Sequence, residues 1–137
     1  MKTQINPQDT SRAEAFNLWL SSPMPMVTLT KTFNVSNLLK QSKKLNISFN
    51  ALLCWCIGKA ASQIEEFYLL IEKDKLYKYD KIAINVIVNN KKGGINSCDI
   101  AFNEDLTQFV KDYTQLTQRT SQENKSNFLE DYMIIGT

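Results

Sequence analysis

The side chains best equipped for chemistry are three cysteines, two adjacent carboxylate pairs and a double glycine, in a chain of 137 residues without a histidine. Lacking imidazole, the sequence has neither the commonest general base near neutral pH nor the commonest zinc ligand. Cys54-Trp55-Cys56 lies in an apolar stretch that reads as helix. Residues two apart on a helix point about 200° from each other, so these sulfurs cannot share a metal or a bond. Cys56 falls on the apolar stripe and reads as packing. Cys98, on an expected strand beside a flexible turn, is the thiol best placed to line a pocket, though no histidine can activate it.

The pairs Glu65-Glu66 and Glu130-Asp131 diverge in direction, and nothing apolar beside them would raise a carboxyl pKa, so they read as solvated ends. Lys91-Lys92-Gly93-Gly94 falls between two strand patterns rather than at a helix start, so its glycines serve a hairpin turn and not a phosphate cradle. Met24-Pro25-Met26 is different. Two flexible thioethers around a proline suit an adaptable apolar surface, either core plug or ligand wall. No catalytic residue and no metal site emerge from this reading.

The elements that must position these groups follow from periodicity. Residues 1–10 read as a polar lead-in, with residues 11–137 as one unit. Ser11 and Glu14 have capping-box spacing, which predicts a helix carrying Phe16, Trp19 and Leu20 on one face, stopped by Pro23 and Pro25. Residues 26–33 alternate Val27, Leu29 and Phe33 against Thr28, Thr30 and Thr32, predicting a half-buried strand. A short helix capped by Asn34 or Ser36 follows. Residues 48–67 carry Phe49, Leu52, Leu53, Cys56, Ile57, Ala60, Ala61 and Ile64 at spacings of three and four, predicting a helix of about five turns. Gly58, Ala60 and Ala61 permit close approach to another element. A hairpin joins residues 68–71 to 76–79, and two more strands flank the Gly93-Gly94 turn. Asn103, Glu104 and Asp105 cap a last helix with Leu106, Phe109, Val110, Tyr113, Leu116 and Thr117 as its stripe. Residues 118–126 read as loop, 127–130 as a single helical turn, and Tyr132-Met133-Ile134-Ile135 as a strand. The sum is an α+β chain with a mixed β-sheet flanked by helices.

Composition narrows the function classes. With 43% hydrophobic and 22% charged residues the chain is ordinary for one globular domain, and 16 basic against 14 acidic side chains give a net charge of +2, no footprint for nucleic acid. No apolar run reaches membrane-spanning length, and the first ten residues lack the apolar core of a signal peptide. An odd number of cysteines fits a reducing, cytoplasmic setting.

Taken in order, several segments resemble the chloramphenicol acetyltransferase family. Arg12, Glu14 and Phe16 are similar to its N-terminal R-x-E-x-F helix. Thr28-Leu29-Thr30 through Val35-Ser36 resembles its first core strand, S-L-T followed by D-[IV]-[ST]. Ser48-Phe49 leading to Ile57-Gly58-Lys59-Ala60-Ala61 and Ile64-Glu65-Glu66-Phe67 resembles its K-F-Y helix. Leu70-Ile71-Glu72-Lys73-Asp74 with Tyr79-Asp80 is similar to the M-x-I-K-D hairpin and later W-D pair, and Asp105-Leu106-Thr107-Gln108-Phe109 to the D-x-x-Q-F helix start. The correspondence runs from about residue 11 to residue 137.

The resemblance implies an N-terminal portion of a CoA-dependent acyltransferase fold, built into trimers with active sites between subunits. It implies acetyl transfer from acetyl-CoA, a co-substrate rather than a permanently bound cofactor, to a hydroxyl of a chloramphenicol-like acceptor, hence antibiotic resistance. The family's base is a histidine of an H-H-x-x-x-D-G motif, and a serine in an S-A-x-P-W strand stabilises the oxyanion. Neither motif occurs here, so the expectation is a truncated chain, inactive alone, whose catalytic part lies elsewhere. What carries over is an acceptor pocket: Met24, Met26, Val27 and Leu29 where the family lines its antibiotic site, Ile95 where members often carry a phenylalanine, and Tyr132 with Met133 approaching the same pocket. The competing reading is a non-catalytic oligomerisation or substrate-binding module that pairs through exposed sheet edges.

Overall fold

The computed structural model describes residues 1–137. Strand β1 (Lys2–Ile5) is followed by helices α1 (Ala13–Ser21), α2 (Ser36–Leu45) and α3 (Phe49–Ala61). Strands β2 (Leu69–Glu72), β3 (Lys75–Tyr79), β4 (Ile82–Asn89) and β5 (Ile95–Ala101) precede helix α4 (Leu106–Glu123) and strand β6 (Met133–Gly136). They form two three-stranded sheets, an antiparallel β1-β3-β2 and a mixed β5-β4-β6 in which β4 runs antiparallel to β5 and parallel to β6. The α+β class with a mixed sheet flanked by helices is the observed one.

Period-two alternation decides the larger sheet. Ile82, Ile84 and Val86 of β4, with Cys98 and Ile100 of β5, turn to one face and pack on Cys54 and Ala61 of α3 and Phe109 of α4. These side chains are the core, and Ile84, Ile100 and Phe109 are wholly buried. Gly58 explains how closely α3 approaches: a Cβ there would land on the Phe102 ring. Gly93, at φ 80°, supplies the left-handed residue of the β4–β5 turn. In the smaller sheet Lys73 and Asp74 take φ of 48° and 64°, the pattern of a type I′ two-residue hairpin. Its far strand is held by charge: the Lys2 ammonium donates to Glu72 Oε2 at 2.6 Å, and the Tyr79 hydroxyl donates to the other Glu72 oxygen.

Several expectations are corrected. Residues 1–10 are no mere lead-in, because β1 pairs with β3 from Lys2 opposite Tyr79 to Ile5 opposite Leu76. The capping box at Ser11 does not form: α1 starts after Arg12, and the Arg12 amide donates to Thr10 Oγ1 instead. Helix α3 stops at Ala61, well short of residue 67, and residues 65–68 tighten into a 3-10 turn. Its buried face carries Cys54, with Cys56 only partly buried, so the stripe is rotated from the expected one. Cys98 faces the core and is fully buried. Helix α4 runs through the presumed loop to Glu123 and ends on a left-handed Asn124. No helical turn forms at 127–130; Asn127 bridges Cys98 on the open side of β5 instead.

Residues 26–33 form no strand. They stay extended, Val27, Leu29 and Phe33 are 69%, 90% and 70% exposed, and no backbone group from Val27 to Phe33 makes a hydrogen bond. The alternation was real but nothing within the chain lies alongside it. A strand needs a ladder partner, and propensity does not provide one.

Candidate functional site

Site geometry is set by the larger sheet's second face, away from the helices. Alternation and register place Asn85, Ile87, Ser97, Asp99 and Ile95 on it. Asn85 Nδ2 donates to Ser97 Oγ and to Asp99 Oδ1, each at 2.6 Å. Asp99, only 3% exposed, also accepts the Leu129 amide at Oδ2 (3.0 Å). Asn127 exchanges backbone bonds with Ser97 and Asp99, and its side-chain amide donates to the Asp99 carbonyl at 2.7 Å. The chain therefore leaves the β5 edge at Asn127, crosses the sheet pinned by Asp99, and joins the far edge of β4 as β6. This crossover delivers Tyr132 and Met133. The Lys81 ammonium sits 5.5 Å from the Tyr132 ring centroid, and Met133 pairs with Ile82.

The seven candidate acceptor residues fall into three places. Met24, Met26, Val27 and Leu29 lie on the exposed segment after α1, which belongs to no strand. Ile95, 66% exposed, opens β5 opposite Asn89. Met133 stands opposite Ile82 at the other end of β4, with Tyr132 beside it. Seven residue steps of strand separate Asn89 from Ile82, about 23 Å. One copy of the chain thus brings Met133 and Tyr132 together, and Met24 through Leu29 together, but does not join Ile95 to Met133 in one small-molecule pocket.

Two features escaped the sequence reading. A cavity of about 610 Å³ opens between α1 and the β2–β3 hairpin, walled by Phe16, Trp19, Leu20, Leu69, Leu70 and Leu76, with Arg12, Lys73, Glu66 and Asp74 adding charge. Of the Met24-Pro25-Met26 segment only Pro25 lines it. Pairing of α1 with a hairpin 50 residues later has no local signal. The second is Phe128, 70% exposed on the crossover just past Asn127. A Phe128-Leu129 pair set in a polar stretch was the available cue, and the helical-turn reading obscured it.

Chemically, the groups present bind and position. Burial pushes the Cys98 and Cys54 thiols up, away from the nucleophilic thiolate. Burial likewise raises Tyr113, against an opposing hydrogen bond from Asn50. Both Asp99 oxygens are engaged by donors, which leaves that carboxylate as an anchor rather than a base. No three His, Cys, Asp or Glu side chains are arranged to hold a metal ion. No helix is long and apolar enough to cross a membrane.

Comparison with known proteins bears on what such a scaffold belongs to. The fold is similar to that of a solved structure described as chloramphenicol acetyltransferase, with a TM-score of 0.78 at 20% identity. The match covers 90% of this chain and 62% of that one, so the chain spans under two thirds of its length. No curated protein sequence matches. The sequence model of the family described as chloramphenicol acetyltransferase matches residues 2–137. With nearly every residue inside that match, the chain belongs to the chloramphenicol acetyltransferase family.

Proposed function

We propose that this chain serves acetyl transfer from acetyl-CoA to the hydroxyl of a small, chloramphenicol-like acceptor, contributing the N-terminal portion of one acyltransferase domain. The observation that carries the reading is the family match over residues 2–137. The division of labour follows from composition: none of the 137 residues is a histidine, so a histidine base comes from polypeptide outside them. That base would take the acceptor proton as the alkoxide attacks the thioester, while hydrogen bonds hold the oxyanion. Met24, Met26, Val27 and Leu29 are proposed as one acceptor wall, with Ile95, Tyr132 and Met133 as others. Because Ile95 and Met133 sit at opposite ends of β4, these walls meet only where copies adjoin, which supports a homo-oligomer, a trimer by family likeness. Three free cysteines suit the cytoplasm, where such an enzyme would confer antibiotic resistance.

Release of CoA thiol in the presence of chloramphenicol tests this. The chain of 137 residues alone should show no turnover above background, since general base catalysis is worth roughly 10²–10⁴-fold. Adding a polypeptide that bears H-H-x-x-x-D-G should restore transfer, and Met133→Asp should raise KM. Turnover by the isolated chain would overturn the division of labour. The non-catalytic oligomerisation module is favoured by one observation, the exposed apolar segment at 26–33. Failure to bind or acetylate any acceptor after complementation would decide for it.

A further inference from the structure

We infer, resting on the proposed function in which Ile95 is one wall of the acceptor site, that Ser97 determines which acceptors fit, its hydroxyl donating a hydrogen bond to an uncharged oxygen of the acceptor. The direction of that donor follows from its neighbours. The Asp99 carboxylate only accepts, so the Asn85 side-chain atom that meets it is the amide nitrogen. The same nitrogen donates its second hydrogen to Ser97 Oγ at 2.6 Å. Ser97 Oγ is thereby fixed as an acceptor toward Asn85, and its own proton points elsewhere. No group in the chain accepts that proton. The serine backbone is held as well: its amide donates to Ser126 Oγ at 3.1 Å, and its carbonyl accepts the Asn127 amide at 2.9 Å.

Apolar side chains flank this donor. Ile87 stands directly opposite Ser97, and Ile95 lies two residues away on the same face. Opposed Cβ atoms are about 4.5–5.5 Å apart, and alternate residues of a strand about 6.6 Å, so one small ring can touch all three. Burial changes along the face: Ala83 and Asp99 are 0% and 3% exposed, Ile87 and Ile95 are 56% and 66% exposed, and Ser97 is intermediate. The chain thus covers one end of this face itself and leaves the Ile87–Ser97–Ile95 end to the acceptor and to the polypeptide that completes the site. A donor set in an apolar wall favours an acceptor that brings a matching oxygen, because a hydroxyl buried without a partner costs free energy. Asp99, two residues along the same face, is negative and has no cation among its contacts, so a carboxylate or phosphate is repelled. The class selected is a neutral alcohol whose apolar body carries a carbonyl or nitro oxygen.

Equilibrium dialysis and acetyl-transfer kinetics with chloramphenicol test this, on the full chain complemented by a polypeptide that bears H-H-x-x-x-D-G. Ser97→Ala should raise both Kd and KM for chloramphenicol about threefold to tenfold, the worth of one neutral hydrogen bond, with kcat within about twofold. Ser97→Thr keeps the hydroxyl on a residue suited to strands and should restore both constants to within about twofold of the unaltered chain. A purely structural role for Ser97 would not produce that rescue together with a selective rise in KM. Because dialysis reads binding without turnover, the effect of Ser97 is measured whether or not transfer occurs. An unchanged Kd in Ser97→Ala overturns the inference and leaves the proposed function standing. So does a Ser97→Thr chain that binds as weakly as Ser97→Ala. A complemented, unaltered chain that binds no chloramphenicol overturns the inference together with the acceptor site.

Discussion

Replacing Asp99 by alanine should cost about 2–4 kcal/mol of stability, and the reasoning can be worked from three contacts. The carboxylate is 3% exposed and accepts Asn85 Nδ2 at 2.6 Å and the Leu129 amide at 3.0 Å. Hydrogen bonds to a charged group are worth about 1.5–3 kcal/mol each. Asn85 keeps Ser97 Oγ as an acceptor, which cushions its loss. The Leu129 amide has no second partner, so it is left unpaired where the crossover passes the sheet. Asp99→Asn should fall between, at about 1–2 kcal/mol, because one of the two oxygens is retained. Urea unfolding followed by circular dichroism gives the stability change, with an unchanged slope expected. Amide exchange read by NMR gives the location: Leu129 should lose protection while Ile84 keeps it. A loss below about 0.5 kcal/mol with Leu129 still protected would refute the anchor, and with it the account of how Tyr132 and Met133 are delivered.

Four further outcomes follow from other contacts. Gly58→Ala should destabilise by about 1–3 kcal/mol because its Cβ meets the Phe102 ring, and Phe102→Leu in the same chain should recover part of that in thermal denaturation. Glu72 is held below the usual carboxylate range by hydrogen bonds from Lys2 and Tyr79, so its contribution is present above its unfolded value and lost as pH falls through the folded one. Protection of the β1 amides should therefore drop on acidification in the natural chain, and show no such pH dependence in Glu72→Gln. Asp74→Gly relieves a left-handed φ of 64° and should stabilise by about 0.5–1 kcal/mol in urea. Of the three thiols, Cys56 should react with an aromatic disulfide reagent in the folded protein, whereas Cys54 and Cys98 should wait for denaturant.

What could be read from the sequence was what local pattern decides. Alternation in residues 82–89 and the stripe from Leu106 to Thr117 each produced the element expected because each presents an apolar face that a neighbour covers, and the Gly93-Gly94 turn did so because Gly93 takes a left-handed φ. Errors cluster where a distant partner decides. Strand β1 is polar and short, and it exists because β3 offers an edge and Glu72 a counter-charge for Lys2. Helix α3 loses its last turns because residues 65–68 must swing toward the hairpin. Cys54 displaced Cys56 from the core because Gly58 and Ala61, not the most apolar side chains, face the sheet. Of the candidate site, the residue types were legible and their mutual distances were not, since only the register of β4 with both neighbours shows how far Ile95 lies from Met133.

Two independent features of one chain make the same demand. Val27 to Phe33 has the alternation, β-branching and extended backbone of a strand, yet no ladder within these residues, and its three large apolar side chains Val27, Leu29 and Phe33 are exposed. Separately, β4 holds Ile95 and Met133 about 23 Å apart, too far for one small acceptor to touch both on a single copy. Rearranging that segment would not shorten that distance, and moving the strands would not pair it. Under the proposed function, both would be met by further polypeptide packed against this surface, from the same domain or from another copy. The family's acetyl transfer needs a base that these residues do not contain, so chemistry makes a third demand of the same kind.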